Sequence, residues 1–269
     1  SVRCENMARF LMRLMYDGTG FRGWQVQCAG RSIQGDLISA FHQIGVRHPG
    51  VTGAGRTDAG VHALAHFAHF DYRGKMSPRQ LMLALNNKLG QDLMITGIWA
   101  VADDFHARYQ AMARSYVYLL ARVQTPLNRL HTGFMPRRDI GVPSLSRLAE
   151  VLLGSHDFSS LSRDNPLVPN HICDIQRLEI SEERGIIRFD LTADRFLHNM
   201  VRRIVGTLVN LDHGGLGPDV LQAILDEANP RQKLVTTAPA QGLYLTGVRY
   251  PYLQLDESAP TDELLYFLR

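Results

Sequence analysis

Gly53-Ala-Gly-Arg-Thr-Asp-Ala-Gly-Val-His-Ala63 crowds three glycines around one ionisable pair, Arg56 and Asp58, between two apolar runs. Val51 to Gly55 reads as a short entering strand, and Val61 to Phe70, aromatic and carrying a β-branched valine, as the strand that leaves. Asp58 therefore sits on a connection between strands. Thr57 and Asp58 each have a side chain able to bond the backbone two residues on, and Gly60 accepts positive φ, so the carboxylate is expected at a fixed turn. A carboxylate held beside a guanidinium stays ionised, which suits a nucleophile or an anchor better than a general acid.

Outward from this loop, Phe10 to Tyr16 is apolar enough for a largely buried strand, ended by Asp17-Gly18 and Gly20. Ser32 caps a predicted helix through about Val46, with Ile33, Leu37, Ile38, Phe41 and Ile44 at helical spacing. The strand from Val61 runs on to Tyr72. Ser77-Pro78 then opens a helix with Leu81, Leu85 and Leu89 as its stripe. Met94 to Val101 and Tyr116 to Ala121 read as strands, so the first half is β-α-β-β-α-β plus one. Gln124 to Pro143, rich in Pro, Arg, Asn and Gly, reads as a connecting loop. After it come a helix from Leu145 to Leu153, a hairpin of Ile172 to Ser181 and Ile186 to Ala193 around Glu183-Arg-Gly185, a helix from Leu197 to Leu211, another from Pro218, and a strand from Leu243 to Arg249. The expected division is 7–123, a connecting loop at 124–143, and 144–269.

A chain of 269 residues that is 45% hydrophobic buries a substantial core, in one large domain or two modest ones. Its three cysteines are odd in number and lack metal-site spacing, which indicates neither a disulfide framework nor a cysteine metal centre. No apolar run approaches the roughly 20 residues that cross a bilayer, and Ser1 to Arg9 lacks the apolar centre of a secretion signal. The reading is a cytoplasmic protein with no membrane partner. The net charge of +3 is too small to mark a nucleic-acid partner by itself. Of 29 basic residues, however, only Lys75, Lys88 and Lys233 are lysines, and arginine's planar fork binds phosphate and stacks on bases.

Seven blocks in order carry a resemblance: Tyr16-Asp-Gly-Thr-Gly-Phe-Arg-Gly-Trp-Gln25, Ser32-Ile-Gln-Gly-Asp36, the loop at 53–63, Phe105-His-Ala-Arg108, Arg114-Ser-Tyr-Val-Tyr118, Phe196-Leu-His-Asn-Met-Val-Arg202 and Ala238-Pro-Ala-Gln-Gly-Leu-Tyr-Leu245. Together they resemble the tRNA pseudouridine synthase A family over nearly the whole chain. The resemblance implies an α+β fold of two α/β subdomains of RRM/ferredoxin-like character, sharing one curved, mostly antiparallel sheet with a central RNA-binding cleft. It implies isomerisation of uridine to pseudouridine at positions 38, 39 and 40 of the tRNA anticodon stem-loop, by a homodimer with tRNA as its partner.

That reaction breaks the N1–C1′ bond and joins C1′ to C5, so it needs no redox carrier, no metal and no small-molecule cofactor. It needs a nucleophile, a pocket that retains the detached uracil, and a base for the C5 proton. On the family pattern Asp58 is the nucleophile. Attack at C1′, attack at C6 and a glycal route all suit it. Tyr116 stacks on the flipped uracil and takes or relays the C5 proton. Arg202 pairs with the aspartate, with adjacent Arg203 the competing choice and a substrate contact. Arg56 lies near the carboxylate and fills the gap left by the flipped nucleotide, and Leu243 lines the uracil pocket. Tyr118, on the Tyr116 face by period two, is expected in the core.

Other polar groups are assigned elsewhere. His62 and His66 share a strand face while His69 points oppositely, which argues against a metal triad. Asp103-Asp104 reads as a solvated strand end, and Phe21 and Trp24 as packing residues. Two departures from the family pattern, Cys173-Asp-Ile-Gln176 and Leu234-Val235, bear on the RNA face of the second half.

Overall fold

The computed structural model describes residues 7–136, 140–165, 168–251 and 253. They form two compact units, residues 7–111 with 245–251 and 253, and the described part of 112–244. The division falls ahead of the strand that carries Tyr116, because that strand pairs from Arg114 to Ala121 with one far downstream in the second unit. Residues 124–136 of the expected connecting loop accordingly belong to the second unit.

In the first unit β1 (Ala8–Tyr16) lies antiparallel between β3 (His62–Tyr72) and β4 (Leu93–Val101), while the two-residue β2 (Thr52–Gly53) pairs with β3. Every residue of β3 except Asp71 is buried. That pattern marks a strand covered on both faces. On one face Phe10 and Phe70 stack at 5.7 Å, and Phe41 of α1 (Ile33–Gln43) meets Phe70 at 4.9 Å. On the other, Leu11, Ala65, Phe67, Phe105 and Tyr250 form a second core with Trp99 against it.

Both predicted N-caps are present. The Ser32 hydroxyl accepts the Gly35 N–H, and Ser77 with Gln80 makes a reciprocal box at the start of α2 (Pro78–Asn86). The α1 face differs in part from its stripe: Ile33, Leu37 and Phe41 are buried, but Ala40 rather than Ile38 or Ile44 completes it.

In the second unit the strand order is β5 (Ala113–Ala121), β8 (Ile186–Ala193), β7 (Ile172–Glu183) and β6 (Gly154–Asp157), all neighbours antiparallel. The predicted hairpin turns at Arg184 and Gly185, with φ 51° and 78°, the handedness that a two-residue β-turn requires. β6 was not anticipated. The helices are α3 (Val142–Glu150), α4 (Met200–His213) and α5 (Pro218–Glu227). α3 begins three residues before the predicted Leu145, since Pro143 fits a first helical turn that has no N–H to lose. α4 begins three residues after Leu197, because Asn199 takes a left-handed φ of 60° at its cap. β9 (Leu243–Arg249) matches its predicted bounds. Among the described residues no helix is long and apolar enough to cross a membrane.

Candidate active site

The Asp58 loop follows β2 and is seated on the segment that leaves β1. The Thr57 carbonyl accepts the Trp24 N–H at 3.0 Å, and the Gly60 N–H reaches the Phe21 carbonyl at 3.3 Å. The Thr57 hydroxyl meets the Tyr16 hydroxyl at 2.8 Å in a buried contact, so that side chain is tied across the fold instead of making the local turn bond expected of it. The Val61 N–H closes the turn on the Asp58 carbonyl at 3.2 Å, and Gly60 has the expected positive φ of 80°. The seat is itself fixed to the start of α1: the Ile33 and Gln34 N–H groups donate to the carbonyls of Gly23 and Trp24 at 3.2 and 3.0 Å. The backbone on both sides of residue 58 is thus held by one segment, Phe21 to Trp24, while the Thr57 side chain is held by Tyr16. Within this arrangement Thr57 is buried, Asp58 half-buried and Arg56 exposed.

The seat leaves little room. A side-chain carbon placed on Gly23, whose φ is +92°, would lie 2.6 Å from the Thr57 carbonyl oxygen. Trp24 and Phe21 are 2% and 3% exposed, so both pack inside as expected. The Trp24 ring meets the His66 ring at 4.1 Å, and the Arg31 guanidinium sits 4.3 Å from the Phe21 ring, held by Asp36 and Asp92.

The three β3 histidines have separate partners. The Gly18 N–H donates to His62 Nδ1 at 3.1 Å, His66 Nδ1 lies 3.3 Å from the Tyr16 hydroxyl, and the Ala107 N–H donates to His69 Nδ1 at 3.1 Å. Burial depresses His66 to a pKa of about 3 and His69 to about 4, so both are neutral at pH 7. Asp103 and Asp104 are exposed.

In the second unit Tyr116 is half-buried on β5, with the Phe196 ring edge-to-face at 5.1 Å and 86°. An isolated Phe in a loop, as Phe196 is in the sequence, gives no signal of this role. The segment bearing it is anchored by Asp194, whose carboxylate accepts the Arg195 and Asp174 N–H groups and whose carbonyl accepts from Arg114. Tyr118 is fully buried, and its hydroxyl donates to the Pro239 carbonyl at 2.9 Å. Burial pushes that phenol further above its ordinary range, which leaves it no use as a base.

The adjacent arginines at the start of α4 diverge. Arg202 Nε donates to the Ala238 carbonyl at 2.8 Å and Nη1 to Asn199 Oδ1 at 3.0 Å. Arg203 turns to the backbone carbonyls of Ser160, Ser162 and Pro230. Desolvation, followed by the nearby Arg163 charge, lowers its pKa. Leu243, 5% exposed, opens β9 after a short 3-10 turn, and the neighbouring Tyr244 hydroxyl donates to the His131 carbonyl at 2.6 Å. At the departures from the family pattern, Cys173 is buried on β7 and the Leu234 carbonyl accepts from Asn210.

The sequence profile of the family described as tRNA pseudouridine synthase matches residues 12–110 and 148–251, which include the Asp58 loop, Arg202 and Leu243 and leave Tyr116 between the two stretches. The chain is similar to the tRNA pseudouridine synthase A of Roseiflexus castenholzii, at 38% identity over 265 residues covering 96% of each chain. It is 40% identical over 246 residues to that of Chromobacterium violaceum, covering 90% of this chain and 93% of the other. With that of Bacteroides fragilis it shares 38% over 248 residues, 91% and 98% respectively.

Proposed function

Because the chain belongs to the tRNA pseudouridine synthase family and so is an isomerase of uridine in tRNA, we propose that Asp58 is its nucleophile and that it acts at positions 38, 39 and 40 of the anticodon stem-loop. The observation that carries this reading is the seating of the loop: backbone on both sides of Asp58 is tied to the segment from Phe21 to Trp24 and the Thr57 side chain to Tyr16, while the carboxylate residue is left half-buried. A nucleophile gains rate from being held where the reacting carbon arrives.

In this reading Asp58 makes the transient bond to the nucleotide while the N1–C1′ bond breaks. Tyr116 lies against the flipped uracil and receives or relays the C5 proton after C1′ has joined C5. Its ring packs edge-to-face against Phe196. Arg202 is the partner of the carboxylate, and its guanidinium is itself tied to the Ala238 carbonyl and the Asn199 side chain. Arg56, exposed on the same loop as Asp58, enters the space left by the flipped nucleotide. Leu243 gives the uracil an apolar wall, and Arg203, the competing choice for the pairing with Asp58 and for a substrate contact, has its Nη1 on the carbonyls of Ser160, Ser162 and Pro230. The reaction draws on no metal or cofactor, the protein works in the cytoplasm, and a homodimer holds the tRNA with both subunits.

The test is Asp58→Ala with tRNA carrying 5-tritiated uridine. Tritium release is expected to vanish, while affinity in a filter assay stays within about tenfold, because phosphate contacts dominate binding. Release at wild-type rate would overturn the assignment of the nucleophile. Mapping pseudouridine in the product tests the positions, and sedimentation of the protein with and without tRNA tests the dimer.

A further inference from the structure

The motif Phe105-His-Ala-Arg108 and the tyrosine after it are not used in the chemistry above. In the structure they form a rigid stub with an exposed ring at its end. Ala107 is fully buried: its N–H donates to His69 Nδ1 at 3.1 Å and its carbonyl accepts the Tyr250 hydroxyl at 2.8 Å. The Phe105 carbonyl accepts from Arg9 Nη1 at 3.0 Å, and the Gln110 N–H returns to the His106 carbonyl at 3.0 Å. His106 Nδ1 faces the N–H groups of Arg108 and Tyr109 at 3.2 and 3.4 Å, an acceptor role that needs a neutral ring. Partial burial and the charges of Arg9 and Arg108 favour that neutral form.

From this base three rings run outward. His69 meets His106 at 4.8 Å, and His106 meets Tyr109 at 4.3 Å with the planes only 32° apart. Tyr109 is 77% exposed, and the Arg108 guanidinium lies 5.8 Å from its ring. Exposing a large ring while fixing the backbone beneath it forgoes burial at no gain for the fold alone. The arrangement has what an unpaired nucleobase binds to: a flat face already ordered, a second ring behind it, and a cation within reach of the flanking phosphate.

Resting on the reading that the substrate is tRNA, we propose that Tyr109, backed by His106 and flanked by Arg108, is a stacking platform for an unpaired base of that RNA other than the reacting uridine. Asp103 and Asp104 are exposed on the same segment, so the surface is close to neutral and the platform acts by stacking and not by drawing the polyanion from a distance. A platform of this kind tightens binding without touching the chemical step.

The experiment is steady-state turnover and filter-binding affinity on the same tRNA for Tyr109→Ala, Tyr109→Leu, Tyr109→Phe and Arg108→Gln, each at two salt concentrations. Tyr109→Ala and Tyr109→Leu are expected to raise KM and Kd about tenfold with kcat within twofold, in line with the loss of one base–aromatic stack. Tyr109→Phe keeps wild-type affinity. Arg108→Gln lessens the salt dependence of binding, and the Tyr109 variants leave it unchanged. Tyr109→Ala binding as tightly as wild type, or Tyr109→Leu binding like wild type, would overturn the proposal. So would a changed sedimentation of the free protein with RNA affinity intact, which would make this a protein contact. Failure of the platform leaves the Asp58→Ala result standing, whereas failure of the tRNA reading removes turnover of this substrate by the wild-type protein itself.

Discussion

Gly23→Ala isolates the contribution of the loop seat to catalysis. At φ +92° an added side chain is strained by roughly 1–2 kcal/mol wherever it points. Here the new carbon also meets the Thr57 carbonyl oxygen at 2.6 Å, the Ala59 nitrogen at 3.2 Å and the Asp58 carbonyl carbon at 3.2 Å. All three are backbone and belong to the loop that carries the proposed nucleophile. Non-bonded heavy atoms settle near ~3.5 Å, so loop and seat must part by roughly 1 Å. That movement weakens the Trp24-to-Thr57 hydrogen bond of 3.0 Å, which adds about 1 kcal/mol of destabilisation. A displacement of about 1 Å at a reacting group costs on the order of 10²-fold in rate. The expected outcome is a stability loss of about 2–3 kcal/mol and a kcat loss near a hundredfold, measured by urea unfolding and by tritium release at saturating tRNA. Gly45→Ala is the control: its φ is +87°, yet nothing lies within 4 Å of the added carbon. It shares the backbone strain without the contact, and its kcat should equal that of wild type. Gly23→Ala with kcat within threefold of wild type, or both variants losing kcat equally, would refute the reasoning.

The buried histidines make stability depend on pH. Their folded pKa values, about 3 for His66 and about 4 for His69, lie below the ordinary 6.5, so in acid the unfolded chain binds protons that the folded chain does not. Stability is full above about pH 6.5 and falls as pH drops, toward 4 for His69 and toward 3 for His66, by about 1.4 kcal/mol per unit per histidine. A urea midpoint that does not move between pH 7 and pH 5 would contradict this, and His69→Gln should roughly halve the slope. Arg203→Met, which strips three backbone carbonyls of their donor, is expected to lower stability by about 2–4 kcal/mol, whereas Arg202→Gln should remove turnover with a smaller stability change; melting curves beside tritium release distinguish the two. Protein stripped with a chelator and then assayed on folded tRNA should turn over at the untreated rate, and recovery of lost activity by added zinc would contradict a metal-free mechanism.

The sequence by itself determined what local chemistry determines. Ser32 and Ser77 cap their helices because each hydroxyl needs only a backbone N–H three residues on, and β9 keeps its predicted bounds because apolar residues between turn signals suffice to mark it. Period two separated His66 from His69, Tyr118 is buried as expected although it shares the Tyr116 face, and the 53–63 loop identified Asp58 as the residue to test. Only the tertiary structure decided which groups meet across long stretches of chain. β6 has too little apolar character to be seen alone and exists through its ladder with β7. Arg202 and Arg203 are one residue apart with the same charge, and their division of labour appears only where the 238 segment and the Ser160–Ser162 backbone arrive at α4. Thr57 was expected to bond locally but found a hydroxyl 41 residues away, since the register of β1 against β3 brings Tyr16 beneath the loop. Capping and periodicity are short-range and leave a trace in neighbouring letters. Partnership between distant residues is set by strand register and packing, which no local pattern encodes.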